Sequence, residues 1–490
     1  MRTLDLIIVC AYLARMVGIG FAVRKKQTTT DEYFRASSSM GWLVVGISII
    51  GASTSTLSYL SFPGEVIAHG PGLLLANLVF PISYFLIARL FLPTYMRHNV
   101  TSIFEYLERR FDISVRVLAV IVFFLTRLAR LSFIVFTASL AMSSIVNLPI
   151  TTIITAVGLV ATLYTAIGGI RADIIADTWE TTVLFLGGLT TIAVAIVLMH
   201  GPGEIFRVVS EQRHLSIPFL SLEGTSVVGV LIWAFVLDIY VFASDQAMVQ
   251  RAFCTGSLTE ARRGMLVNFA GSFAFETILA LIGFCLFAFF TAHPETWVPY
   301  LGPGLKSHAD KMFPFFITHV MPVGLSGIIV ASLLAAAMSS LDSGINSSVT
   351  VLHIDILSRF GFRHIGRSQV AFAKKMSFVF GLLATAGAWL IPTFKGNLLQ
   401  VTAGIGGLFE GPMMALFFLA VCTKSVERLG AITGVIAGVL VGVGVAYSHQ
   451  IFGTGRPSFT WIAPASAATT IIVGWLGSRL LPLRSSTLLS

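Results

Sequence analysis

Charge is what this chain has least of. Only 11% of its 490 residues are Asp, Glu, Lys or Arg, where a soluble domain carries about 25%. With 56% hydrophobic residues and a mean hydropathy of +0.87, the sequence excludes an ordinary aqueous domain and reads as a polytopic membrane protein. Cysteine is scarce too. The four (Cys10, Cys254, Cys285 and Cys422) are scattered without metal spacing, which argues against a disulfide framework or a zinc site. The ten histidines form no H-E-x-x-H pair and no Gly-x-Ser-x-Gly elbow occurs, so no hydrolytic arrangement competes and an enzyme is not expected. Glycine clusters such as Gly404–Gly407 sit inside hydrophobic runs, where close helix packing or a hinge is a better reading than a phosphate cradle.

What fills the chain is a series of apolar runs. Thirteen candidate spans are predicted, near 5–23, 41–68, 72–95, 117–146, 149–167, 172–199, 225–248, 265–292, 323–353, 370–391, 397–422, 429–447 and 460–478. The net charge of +9 is distributed by topology: 21 of the 32 Lys and Arg fall in alternate loops, 7 in the opposite loops and 4 inside spans. By the positive-inside rule this predicts the N-terminus outside and the C-terminus inside, and removes any need for a nucleic-acid partner. The first run lacks an A-x-A exit and is followed by Arg24, Lys25 and Lys26, so it reads as a retained helix. Residues 101–112 read as a short amphipathic helix, and the loop at 293–322 as holding a helix from Ser307 to Val320.

Two stretches carry the chemistry. Gly51-Ala-Ser-Thr-Ser-Thr-Leu-Ser58, followed by Phe62-Pro63-Gly64-Glu65, crowds hydroxyls into the middle of a span. A helix can open there if its freed carbonyls face an ion, a ligand or water. The alternative is that these hydroxyls bond back to their own helix or join neighbouring ones. The second stretch runs from Ala335 to Ser348. Ala336, Ser339 and Ser340 share one face at i, i+3 and i+4, so a carbonyl and two hydroxyls converge. With carbonyls released at Gly51 and Thr54 they would offer a desolvated Na⁺ its oxygens, by the hard-cation logic of oxygen ligation. A small-residue packing face is the alternative, and Asp342 in the same helix weighs against it.

Charges inside spans need partners. Arg127 and Arg130 share a face at i and i+3; Arg127, nearer the inside, is expected to pair with Asp177 or Glu180, leaving Arg130 for an anionic ligand or for an internal ion pair. Asp238 is expected to line a cavity, accepting solute hydroxyls or binding an amine. Glu276 and Glu410 stay open, and any of the three acids could instead be protonated and structural. Interruptions at Ser/Thr and Pro63 in span two and at Asp238 and Ser244 in span seven lie five spans apart, as inverted repeats over spans 2–6 and 7–11 would require.

The stretch Ala335–Ser348, with Ser61-Phe62-Pro63, Gly168-Gly169-Ile170 leading to Asp177, and Asp245-Gln246 with Gln250-Arg251, resembles the sodium/solute symporter family over nearly the whole chain, and within it the bacterial sodium/sialic acid symporters. The resemblance implies an all-α polytopic membrane protein of LeuT-type fold, with two inverted five-helix repeats and about 13 transmembrane helices. It implies one membrane domain: a leading helix and loop (1–40), repeats at 41–199 and 225–422, and two trailing helices at 429–478. It further implies a sodium-coupled symporter that imports an anionic sugar acid such as sialic acid, working as a monomer in the bacterial inner membrane. A first Na⁺ would use Gly51, Thr54, Ala336, Ser339 and Ser340. A second would use Asp177, Ser339, Asp342 and Ser343, although Asp342 is an acid where those members carry a serine. The solute would meet Ser55, Ser58 and Arg130, with Asn77 standing where a glutamine serves. Alternatives are a sodium symporter for a neutral sugar, polyol or amino acid, proton coupling through Asp238 or Glu410, and a transporter-like sensor.

Overall fold

The computed structural model describes residues 3–23, 30–143, 149–167, 170–212, 215–361, 367–391, 398–453, 455 and 457–480. Gly168, Gly169, the basic run 24–26 and the tail after Leu480 lie outside the described residues. A helix covers each of the apolar runs named above. They are α1 (Thr3–Val23), the pair α2 (Trp42–Ser53) and α3 (Thr56–His69), α4 (Pro71–Arg97), α6 (Ile113–Ser143), α7 (Ile150–Ile167), α8 (Ile170–Leu198), α9 (Val227–Ile239) with α10 (Gln246–Phe253), α11 (Leu258–Ala292), α13 (Leu325–Val351), α14 (Arg367–Ala388), α15 (Leu398–Cys422), α16 (Arg428–Ala446) and α17 (Ile462–Leu480). Two of the shorter helices between them are α5 (Ile103–Arg110) and α12 (Ala309–Phe315). Among the described residues nine helices are long and apolar enough to cross a membrane, ten if the bent pair α2/α3 counts as one span. The only sheet-like pairing among them is a bridge between Met40 and Thr255.

Helix α13 is the axis of the molecule. Its most apolar stretch is 94% buried, because helices α1, α2, α6, α8 and α14 all pack around it. Ala335, Ala336 and Ala337 are small enough to let those neighbours close in. The amphipathic segment forms as expected: Ser102 and Glu105 make a reciprocal capping box at the start of α5. That helix is anchored from below by Gln246, whose Oε1 accepts from the Ile103 amide at 2.9 Å and whose Nε2 donates to the Thr101 carbonyl at 3.0 Å.

Span two opens within the hydroxyl stretch, as expected, but not at Pro63, and span seven breaks next to Ser244 but not at Asp238. Pro63 lies within α3, and the chain opens at Thr54 and Ser55 instead, where α2 and α3 meet at 65°. Proline removes one amide, which a spanning helix tolerates; two successive extended residues end the helix. Likewise Asp238 stays in α9. The helix widens over Tyr240–Ser244 and breaks at Asp245, whose φ of −102° and ψ of 120° are extended.

Helix α12 docks on α3 in the loop before α13. Asp310 there sits against Gly64, with Glu65 and His69 close by. Burial first, then the Glu65 carboxylate, push the Asp310 carboxyl up to about 6. Because the folded value exceeds the unfolded one, the neutral acid docks best. The stabilisation is full below about pH 4, the ordinary carboxyl range, and is lost as pH rises through that of the folded group. Amides of α12 are therefore expected to exchange more slowly near pH 5 than near pH 7.5 once intrinsic rates are removed; equal protection at both would refute this.

Candidate functional site

The opening between α2 and α3 faces α13 and α8. The Thr54 amide reaches back to the Ile50 and Gly51 carbonyls at 3.1 and 3.2 Å, which ends α2. The Ala52 and Thr54 carbonyls, which meet no backbone amide among the described residues, receive the Ser340 hydroxyl at 3.4 and 2.9 Å. One turn along, the Thr56 hydroxyl donates to the Leu333 carbonyl at 2.8 Å. Break and central helix are thus joined through groups that an unbroken helix would have satisfied by itself. Only glycine fits at position 51. A Cβ there would stand 2.6 Å from Thr181 Oγ1 and 3.1 Å from Ser339 Oγ. Gly51, Thr54, Ser339 and Ser340 therefore come together, and Ala336 lies one turn away on the same buried stretch of α13.

Ser339 also donates to Asp177 of α8. Asp177 is the hub of a second buried network: its Oδ2 takes the Ser48 hydroxyl at 2.5 Å and Arg251 Nη2 at 2.8 Å. Arg251, 1% exposed, also donates to Ser48 Oγ at 2.9 Å, Ser343 Oγ at 2.8 Å and the Ala247 carbonyl at 3.1 Å. Of the proposed second sodium set, Asp177, Ser339 and Ser343 meet here. Asp342 turns instead to the Thr165 hydroxyl, and its other oxygen is buried without a partner. The expected pairing of Arg127 with Asp177 or Glu180 is corrected: Arg127 pairs with Asp245, at the break after α9. Asp177 is already held by Arg251, while Glu180 accepts from Tyr12. Sequence reasoning missed Arg251 and Asp245 as partners, although both stood in quoted motifs.

Beside the break lies a cavity of about 260 Å³. Ser55, Ser58, Arg130 and Asp238 line it as predicted, together with Thr54, Glu276 and Glu410. Helical spacing explains the convergence: Thr126, Arg130 and Phe133 share one face of α6, and Ser272, Phe275, Glu276 and Leu279 one face of α11. Arg130 has no hydrogen bond or ion-pair partner among the described residues, which leaves its guanidinium to the cavity. Asn77 is not in the lining. It is 3% exposed, with both polar side-chain atoms unpartnered. Aromatic rings from Phe62, Phe80, Phe133, Trp233, Phe242 and Phe275 make up much of the wall, a contribution no local motif announced.

The arrangement has relatives. The profile of the sodium:solute symporter family matches residues 33–438. The sodium/sialic acid symporter of Aliivibrio fischeri is 24% identical over 97% of this chain and 92% of its own. That of Proteus mirabilis is 27% identical over 90% and 89%. Among solved structures, the substrate-bound outward-open state of a Na⁺-coupled sialic acid symporter superposes with a TM-score of 0.88 at 24% identity, covering 98% of both chains. A nucleobase-cation-symport-1 family transporter in a closed conformation follows at 0.57 and 14%. With a broken helix laid against a hydroxyl-faced one and a family match spanning most of its length, this chain belongs to the sodium:solute symporter family and is a sodium-coupled transporter, not an enzyme.

Proposed function

We propose that this protein imports a small carboxylated solute with Na⁺, in the first instance an anionic sugar acid such as the sialic acid named for its relatives. The observation that carries the reading is Arg130, a guanidinium with no hydrogen-bond or ion-pair partner among the described residues, in a cavity shared with the Ser55 and Ser58 hydroxyls. An arginine stays charged at any physiological pH, and its planar fork suits a carboxylate. The coupling Na⁺ sits where the Gly51 and Thr54 carbonyls meet Ala336, Ser339 and Ser340; a second would draw on Asp177, Asp342 and Ser343. Because one oxygen set belongs to both the break and the central helix, Na⁺ organises the hydroxyls of the solute site. The coupling is a free energy shared by the two sites. One Na⁺ falling through 100 mV contributes about 2.3 kcal/mol, roughly fifty-fold accumulation. The same reading takes the chain as thirteen crossings with repeats at 41–199 and 225–422, N-terminus outside and C-terminus inside, acting as a monomer in a bacterial inner membrane.

Uptake into proteoliposomes, with Na⁺ and H⁺ gradients imposed separately, tests this. Na⁺ alone is expected to drive carboxylate uptake. Arg130→Ala is expected to lower it about thirty-fold, the worth of roughly 2 kcal/mol for hydrogen bonds to a charged group. Equal uptake by the variant, or uptake driven by H⁺ alone, would overturn the reading.

A further inference from the structure

Among the described residues the cavity holds one fixed cation and three acids: Arg130 faces it with Asp238, Glu276 and Glu410. These charges are not spread evenly. Arg130 and Glu410 come from the packed helices α6 and α15. Asp238 and Glu276 line the same cavity from α9 and α11. Neither carboxyl has a salt-bridge partner among the described residues. Asp238 is 7% exposed, and the Ser83 hydroxyl stands beside its carboxylate. Two acids lining one cavity, with no salt-bridge partner among the described residues, constitute a site for a cation from elsewhere.

The rings around them say what kind of cation. Phe80 from α4, Trp233 and Phe242 from the α9 segment and Phe275 from α11 line the same cavity as the two carboxyls. Phe80 and Phe242 are both held edge-on by Phe269, at centroid distances of 5.2 and 5.0 Å, and Trp233 by Phe459 at 5.6 Å. Fixed aromatic faces beside carboxylates select an ammonium group, alkylated or not, over a hydrated metal ion.

We propose that the transported solute is a zwitterion: its carboxylate rests on Arg130, and its ammonium group lies between Asp238 and Glu276 within the aromatic wall. This rests on Arg130 taking a carboxylate, as above. It keeps that end of the solute and changes the other, from a neutral substituent to an amine. An amino sugar acid or a betaine meets the description. A plain anion would bring a second negative charge to a cavity already rich in acids.

The test uses matched pairs that differ only in the amine: 2-amino-2-deoxygluconate against gluconate, and glycine betaine against 3,3-dimethylbutanoate. Thermal stabilisation of the purified full-length protein in Na⁺ is the readout, with N-acetylneuraminate alongside. The aminated member of at least one pair is expected to bind about tenfold more tightly, a step of 1.4 kcal/mol. Asp238→Asn combined with Glu276→Gln is expected to bring the ratio close to one, while stabilisation by Na⁺ alone shows that the variant is folded. If N-acetylneuraminate or the unaminated members bind as well or better, in an Arg130-dependent way, the zwitterion proposal fails and the carboxylate reading stands. If the acids are simply protonated, the double variant leaves every ratio unchanged, which overturns the proposal. If Arg130→Ala leaves all carboxylates bound as before, the carboxylate reading fails and takes the zwitterion with it.

Discussion

Replacing Arg251 by methionine is expected to destabilise the protein by about 3–5 kcal/mol, because it leaves a buried acid uncompensated. The guanidinium contacts Ser48, Asp177, Ser343 and the Ala247 carbonyl, and all four residues are buried. It also joins α10 to α2, α8 and α13, the helices that form the sodium junction. Methionine fills much of the volume, so the loss reports charge more than packing. Restoring neutrality should then restore stability: Asp177→Asn in the Arg251→Met background is expected to recover a large part of it. The melting of purified protein in detergent measures both. A single variant within about 1 kcal/mol of the parent, the range of an exposed ion pair, would mean that Arg251 contributes no more than an ordinary surface arginine.

That possibility is a real one from sequence, since Arg251 counts equally well among the basic residues that set topology. Loop-charge statistics cannot distinguish an arginine in water from one folded under a helix. Arg127 illustrates the same limit. Its need for an acid was legible, but the choice among Asp177, Glu180 and Asp245 depends on where α9 breaks, a tertiary fact. The opening at Thr54 and Ser55 was legible because hydroxyls crowd a span that gives them no other task, yet Pro63, inside α3, marks no break. A missing amide suggests a break more strongly than it makes one. The cavity's acids could be named but not oriented. Depth in a span marks a carboxyl as unusual, and only the packing of α4, α9 and α11 turns Asp238 and Glu276 toward one space.

Removing the two hydroxyls of α13 is expected to uncouple sodium with little damage to the fold. In Ser339→Ala/Ser340→Ala, two contacts to a cation are lost at about 1.5 kcal/mol each, so the Na⁺ concentration for half-maximal uptake should rise about a hundredfold or more. Uptake at saturating Na⁺ should fall far less, because Ser55, Ser58 and Arg130 are untouched. Both hydroxyls also make bonds within the protein, to Asp177 and to the Thr54 carbonyl, so a shift could come from a loosened junction instead. Thr56→Val separates the two. It deletes the 2.8 Å bond from the Thr56 hydroxyl to Leu333, which also joins the break to α13 but offers nothing to the ion. Its stability loss should be about 1 kcal/mol, a typical net hydrogen bond, with the Na⁺ dependence unmoved. If Thr56→Val shifts that dependence as far as the double alanine variant does, the serines are structural. The coupling ion must then be sought elsewhere in the molecule, first around Asp177.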